Sequence, residues 1–301
     1  MKKRVISFGL AAVMSFAMLS GCGTREEKVT LSRDELLTKA VESMETIDSI
    51  ELDVSGKLNG EATIEGQDIK LNGSATAEGV GTVKEPSLHL TGKVDYNYEA
   101  GNSKASGEHT AEVYGECDKE NELFYTYARL DDRDWNVSED SMPDFSEDIS
   151  EMVDDAKEAI KEISEDKTMS DLFKLNETLK KVNGKKCYLI YADIDKEVLK
   201  NIVGQESEVD AEEMEYFDKL NISYKIYFDK DTYYPVKFVL SAEIKAEVEE
   251  EGYFIDLKEC EFEVNAKVNK AEPVKVPQAI KDSAKETELD GSSSLSEVIG
   301  L

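Results

Sequence analysis

Histidine, tryptophan and proline are scarce in this sequence: two, one and five of them among 301 residues. With only His89 and His109, neither beside a Ser or Cys motif, a hydrolytic triad is not expected. The lone Trp135 argues against a sugar-stacking cleft, and no carboxylate pair is singled out for glycoside hydrolysis. No Gly-rich phosphate loop and no dinucleotide fingerprint occur. Cysteines number four and none are spaced Cys-x-x-Cys, which excludes a thiol redox motif or a zinc knuckle. Beyond the first twenty residues no run is long and apolar enough to cross a membrane. Positive charge is short as well: 36 Lys+Arg face 66 Asp+Glu, a net charge of −30. Such a surface repels nucleic acid and anionic headgroups, so neither nucleic-acid binding nor adhesion to a membrane by charge is expected. The acidity does not mean disorder, because 40% of the residues are hydrophobic and they recur periodically.

What is present begins at the N-terminus. Met1-Lys2-Lys3-Arg4 precedes an apolar run from Val5 to Leu19, the pattern of a secretory signal. The run ends in Leu19-Ser20-Gly21-Cys22, which resembles the lipobox of a bacterial lipoprotein. That resemblance implies cleavage before Cys22, acylation of its thiol and new α-amine, and an outward-facing protein held to the cell membrane by lipid. Loss of the signal leaves 33 basic against 66 acidic residues, about −33. The acyl chains must then do the anchoring, and two or more hold stably where one is marginal. Cys117, Cys187 and Cys260 remain; one disulfide with a free thiol and three buried thiols are both open.

After a polar tether at 22–31, Ser32-Arg33-Asp34-Glu35 reads as a capping box. The helix it opens carries Leu36, Leu37, Ala40, Val41 and Met44 on one face. Strands follow from Ser49, with a turn at Glu65-Gly66-Gln67-Asp68 and small residues at Gly73, Ala75 and Ala77 that permit close approach to the sheet. Leu88, Leu90, Val94, Tyr96 and Tyr98 share a parity, and strand signal continues through 112–117 and 122–130. In the middle, Ile149, Met152, Val153, Ala156, Ile160 and Ile163 recur at helix spacing. A second helix is expected from Ser170 through Leu172, Phe173, Leu175 and Leu179 to a stop at Asn183-Gly184. Cys187 to Ile194 reads as a strand buried on both faces, and Asp195 as the cap of a short helix. The last third holds a long hairpin in which Val236, Phe238, Leu240, Ala242 and Ile244 keep one parity. The returning strand changes parity between Leu257 and Cys260, which requires a β-bulge near Lys258–Glu259 and turns Cys260 inward. A helix over 279–285 and a tail at 287–301 complete the chain.

Helix groups lie between strand groups and do not alternate with single strands. The class is therefore α+β: a single curved antiparallel sheet, an open half-barrel, with helices packed on its concave face. On these elements the chain resembles the LolA/LppX-type half-barrel lipoproteins, and within them a Gram-positive group. The stretch Ile226-Tyr227-Phe228-Asp229-Lys230-Asp231-Thr232-Tyr233-Tyr234-Pro235-Val236-Lys237 and the closing Lys275-Val276-Pro277 carry the likeness. It implies one domain over 32–286 with a cavity between sheet and helices that carries or shields acyl chains. Its expected lining is Leu90, Val94, Tyr96, Ile226, Phe228, Phe238, Leu240, Ile244, Phe262 and Val264.

No catalytic residue, metal or cofactor is expected. Asp229-x-Asp231 starts like a calcium loop, but its sixth and twelfth places hold Tyr234 and Leu240 where Gly and Glu are needed. Asp193-x-Asp195 fails likewise at Val198 and Gly204, and Asp131, Asp132 and Asp134 read as a solvated turn. Tyr96, Tyr98, Phe124, Tyr125, Tyr127, Tyr188 and Tyr191 lie on strands, as core and cross-strand pairs or as cavity wall. Two functions stay open. One is a lipid-anchored binding protein for a hydrophobic or lipid-like ligand. The other is a non-enzymatic surface protein with a filled core that meets a protein partner.

Overall fold

The computed structural model describes residues 27–64, 66–101, 103–141, 154–155, 157–158, 161, 165, 167–200, 216–248 and 253–286. Cys22, the stripe residues Ile149, Met152, Val153, Ala156, Ile160 and Ile163, and the 287–301 tail lie outside them.

Alternation of apolar and polar residues builds one sheet. Its long strands are β1 (Ser49–Ile64), β2 (Gln67–Thr82), β3 (Ser87–Ala100) and β4 (Ser103–Asp118), followed by the shorter β5 (Leu123–Leu130) and β6 (Asn136–Ser141). Short β7 (Lys174–Leu175) and β8 (Lys180–Val182) precede β9 (Lys185–Asp195), β10 (Phe217–Asp229), β11 (Pro235–Val248) and β12 (Tyr253–Val268). A two-residue β13 (Lys285–Glu286) ends the described chain. The order across the sheet is β13-β6-β5-β4-β3-β2-β1-β12-β11-β10-β9-β7, with β8 also on β9. Two meanders thus join where β1 meets β12, and all pairs are antiparallel except β13 with β6. The sheet does not close on itself, so the fold is the expected open half-barrel.

The parity change in β12 is resolved as expected. Asn59 faces Glu259 and Gly60 faces Leu257, so Lys258 is the extra residue. Beyond it the register returns the apolar residues of β12 to one face. Cys260 lies on that face but is half-buried rather than enclosed.

Helix α1 (Arg33–Met44) has the predicted capping box: Ser32 Oγ accepts from Glu35 N–H at 3.2 Å, and Glu35 accepts from Ser32 N–H at 2.7 Å. It buries Leu36, Ala40 and Val41. Leu36 and Ala40 meet Tyr188, Ile190 and Phe228, so α1 covers the apolar face at the end of the sheet where β1 starts and β10 stops. Arg33 donates to the carbonyls of Ser170 and Phe173, which ties α1 to α2 (Lys167–Leu172).

The second predicted helix is shorter than expected. It ends at Leu172, and the chain then runs extended as β7 and β8. Asn183-Gly184 is not a helix stop but a hairpin turn, with φ of 49° and 82°. Two left-handed residues in succession suit the twist of a two-residue hairpin. Asp195 does cap the following turn, accepting from Val198 N–H at 2.9 Å.

The closing helix α3 (Gln278–Ser283) lies on the other face of the sheet. There Val276 and Ile280 join Tyr127, Trp135 and Tyr114 in a second, smaller core. No helix among the described residues is long and apolar enough to cross a membrane.

Candidate functional site

Residues directly opposite across a strand pair project to the same face, so the register can be read as rows. One row runs Ile190, Ile226, Phe238, Val264, Val54, Ala77, Gly92, Ala111, Leu130 across nine strands. The next holds Ala192, Tyr224, Leu240, Phe262, Gly56, Ala75, Val94 and His109. Rows on either side contain Tyr96, Leu90, Phe228 and Ile244. All ten residues expected to line a cavity therefore share one apolar face.

They do not form one cluster. Ile226, Phe238 and Val264 are direct neighbours, as are Leu240 and Phe262. Phe228, Phe238 and Val264 are buried, while Tyr96, Ile226, Leu240, Ile244 and Phe262 are half-buried. Leu90 and Val94 are 44% and 47% exposed. Leu90, Val94 and Tyr96 lie on β3, three strands from β12, or roughly 14 Å at the usual strand spacing.

Glycine shapes the middle of this face. A Cβ on Gly115 would stand 2.6 Å from Phe124 and 2.8 Å from Leu88; one on Gly79 would stand 2.5 Å from Leu90. The large side chains of β3 and β5 lean over these glycines of β2 and β4 and fill the face there; at Gly73, one of the small residues expected to permit close approach, the nearest atom to a Cβ is the Asp95 carbonyl oxygen at 3.0 Å.

The opposite face is polar and laced with ion pairs. Glu112 accepts from Arg129 at 2.9 Å and lies 3.1 Å from His89. Burial works against its charge, but His89 and Arg129 outweigh that and hold its carboxyl below the usual range. His89 stacks on Tyr114 at 4.0 Å and Arg129 lies 4.8 Å over Trp135. Beside this group is a hollow of about 550 Å³, bounded by Thr76, Thr91, Lys93, Glu112, Arg129 and Asp131. A second, of about 460 Å³, is bounded by Asp193, Ser223, Ser241 and Glu261. Charged and hydroxyl linings make both unsuited to an acyl chain. No group of three metal-ligating side chains occurs among the described residues.

The three cysteines among the described residues, Cys117, Cys187 and Cys260, carry thiols. Only Cys187 is buried, between Val182 and Val236, and burial pushes its thiol up to about 12, with Asp229 adding to the rise. It is a core residue, not a nucleophile.

Over residues 32–285 the chain matches the model of a family described as of unknown function, DUF6612. It belongs to that family. No curated protein matches it. Among solved structures it is similar to LprF from Mycobacterium bovis, at 11% identity over 81% of this chain and 95% of that one, with a TM-score of 0.33. It is also similar to a β-barrel-like protein of the domain of unknown function DUF1849 from Brucella abortus, at 9% identity over 74% and 99%, with a TM-score of 0.24. TM-scores this low leave the DUF6612 fold to be read from its own strands.

The sequence reading missed the far reach of the apolar face. Ile64, Leu71 and Ile255 lie on it, exposed at 43%, 37% and 47%. Their parity was legible; that nothing described covers them was not.

Proposed function

We propose that this DUF6612 protein is a membrane-anchored extracytoplasmic lipoprotein that binds a hydrophobic or lipid-like ligand on the apolar face of its half-barrel. It is a binding protein rather than an enzyme. One observation carries the reading. Of six exposed large hydrophobics among the described residues, five (Ile64, Leu71, Leu90, Val94 and Ile255) project from the same face of the sheet. Exposure scattered over both faces needs no explanation, whereas large apolar side chains exposed along one face of the sheet and not the other point to a binding surface. Burying an acyl chain there would gain roughly 0.8 kcal/mol per CH₂. Anchoring follows from the lipobox at Cys22.

Native mass spectrometry of the chain lacking its first 22 residues tests this. Extra mass released by organic solvent, and uptake of a fluorescent fatty acid, are expected. Val94→Glu places a charge against the ligand and should weaken uptake at least about tenfold with an unchanged melting temperature. A bare chain that ignores the fatty acid sinks the reading. It would favour the alternative, an interaction protein with a self-filled core, which the side chains leaning over Gly79 and Gly115 support.

A further inference from the structure

Against a net charge of −30, one corner of the sheet, around the β8–β9 turn, gathers lysines. The Asn183-Gly184 turn brings Lys181 opposite Lys186 and places Lys180 and Lys185 beside them. The β10–β11 hairpin adds Lys230, whose N–H donates to the Lys186 carbonyl at 2.9 Å. Lys28 joins through its bridge to Thr178. These six lysines share the region with four carboxylates, Glu27, Glu177, Asp229 and Asp231. Glu27 is held by Lys186 at 2.6 Å and by Lys230, and Asp229 by Lys185. Lys180 and Lys181 have no ion pair among the described residues, and Lys181 is exposed. The side chains of Lys185 and Lys186 remain 58% and 63% exposed despite their partners.

The position of this cluster matters as much as its charge. Glu27 is five residues from Cys22 and is fixed to the cluster by both lysines and by its carbonyl, which accepts from Leu179 N–H at 2.9 Å. Five extended residues span at most about 18 Å. A lipid on Cys22 therefore holds this end of the sheet, and no other, close to the headgroups.

We propose that the lysine-rich β8–β9 hairpin docks on anionic lipid headgroups, so that the domain stands on the membrane with this end down. The proposal rests on the anchoring at Cys22 argued above. Charge acts in both directions here. The hairpin is attracted to an anionic surface, and the rest of the acidic surface is repelled by it, which turns the molecule basic end first. The attraction fades within about 8 Å at physiological salt, so it needs the short tether to be effective. The exclusion of adhesion by charge, drawn from composition, holds for the chain as a whole and not for this end.

The test uses the full acylated protein reconstituted into vesicles of phosphatidylcholine alone or mixed with phosphatidylglycerol. Amine labelling read by mass spectrometry should slow at Lys180 and Lys181 on the anionic vesicles by at least about fivefold, the weight of one lysine–headgroup contact. Lys70, Lys104 and Lys258, toward the opposite strand tips, should label equally on both. High salt should erase the difference; in Lys180→Glu with Lys181→Glu, at an unchanged melting temperature, the remaining hairpin amines Lys185 and Lys186, which slow on anionic vesicles in the parent, should label at one rate on both vesicles. Equal labelling on both vesicles, in a protein that floats with both, overturns the docking and leaves the anchor standing. A protein that floats with neither overturns the anchor, and the docking falls with it.

Discussion

The two ends of this sheet carry the same alternation and treat it differently. At one end, over β9 and β10, the apolar face is closed by α1, and Leu36, Tyr188 and Ile190 are buried. Where β1 ends, Ile64 on that same face is 43% exposed, with Ile255 and Leu71 on neighbouring strands. One end is built for stability; the other holds apolar surface in reserve. A strand pattern sets which face is dry, but only the covering element decides where that dryness becomes core.

Truncation at the two ends should break this symmetry most. Leu36→Ala removes a side chain with no exposed surface and leaves a cavity between α1 and Tyr188, so a loss of about 2–5 kcal/mol is expected. Ile255→Ala removes a side chain that is nearly half exposed and should stay within about 0.5 kcal/mol. Urea unfolding of both variants measures the contrast; equal losses would mean the far end is also core.

Glycines sharpen the comparison at a smaller scale. Gly115→Ala drives a methyl into Phe124 and Leu88 at under 3 Å, and such overpacking costs about 1–3 kcal/mol. At Gly56 the nearest atoms to a new Cβ are 3.6 Å and 3.7 Å away. Gly56→Ala there should be neutral, or stabilise by about 0.4–1 kcal/mol through the unfolded chain. Thermal unfolding separates the two.

The sheet was legible because period-two alternation survives every pairing, and even the Lys258 bulge was written as a parity break. What failed was local. Leu172, Phe173, Leu175 and Leu179 fit a helical spacing, yet Asn183-Gly184 is among the strongest two-residue hairpin signals, and Lys180–Val182 and Lys185–Cys187 flank it as strands. The turn chemistry was outweighed by an apparent period over a short window. The candidate ligand face was legible as parity but not as cover. The basic end was hidden by averaging: seven residues reading Lys-Lys-Val-Asn-Gly-Lys-Lys vanish in a total of −30.

That basic end also sets the smallest predicted effect, one of pH. Hydrogen bonds from Lys186 and Lys230 lower the Glu27 carboxyl from its ordinary 4.5 to about 2. A depressed carboxylate contributes to the folded state above its ordinary value, and that contribution is lost as pH falls toward the folded one. The docking of 27–29 against 177–179 should therefore be complete above pH 4.5 and be released between there and about 2. Amide exchange at Val29 and Leu179, whose N–H groups donate to Glu177 and Glu27, reports it directly. Glu27→Gln should exchange faster than the parent at neutral pH, and the difference should vanish in acid. Because Glu27 lies at the surface, the melting temperature at neutral pH should barely move. A pH-independent difference would mean that the backbone bonds alone seat the segment, and that the lysines of this end are left for the membrane.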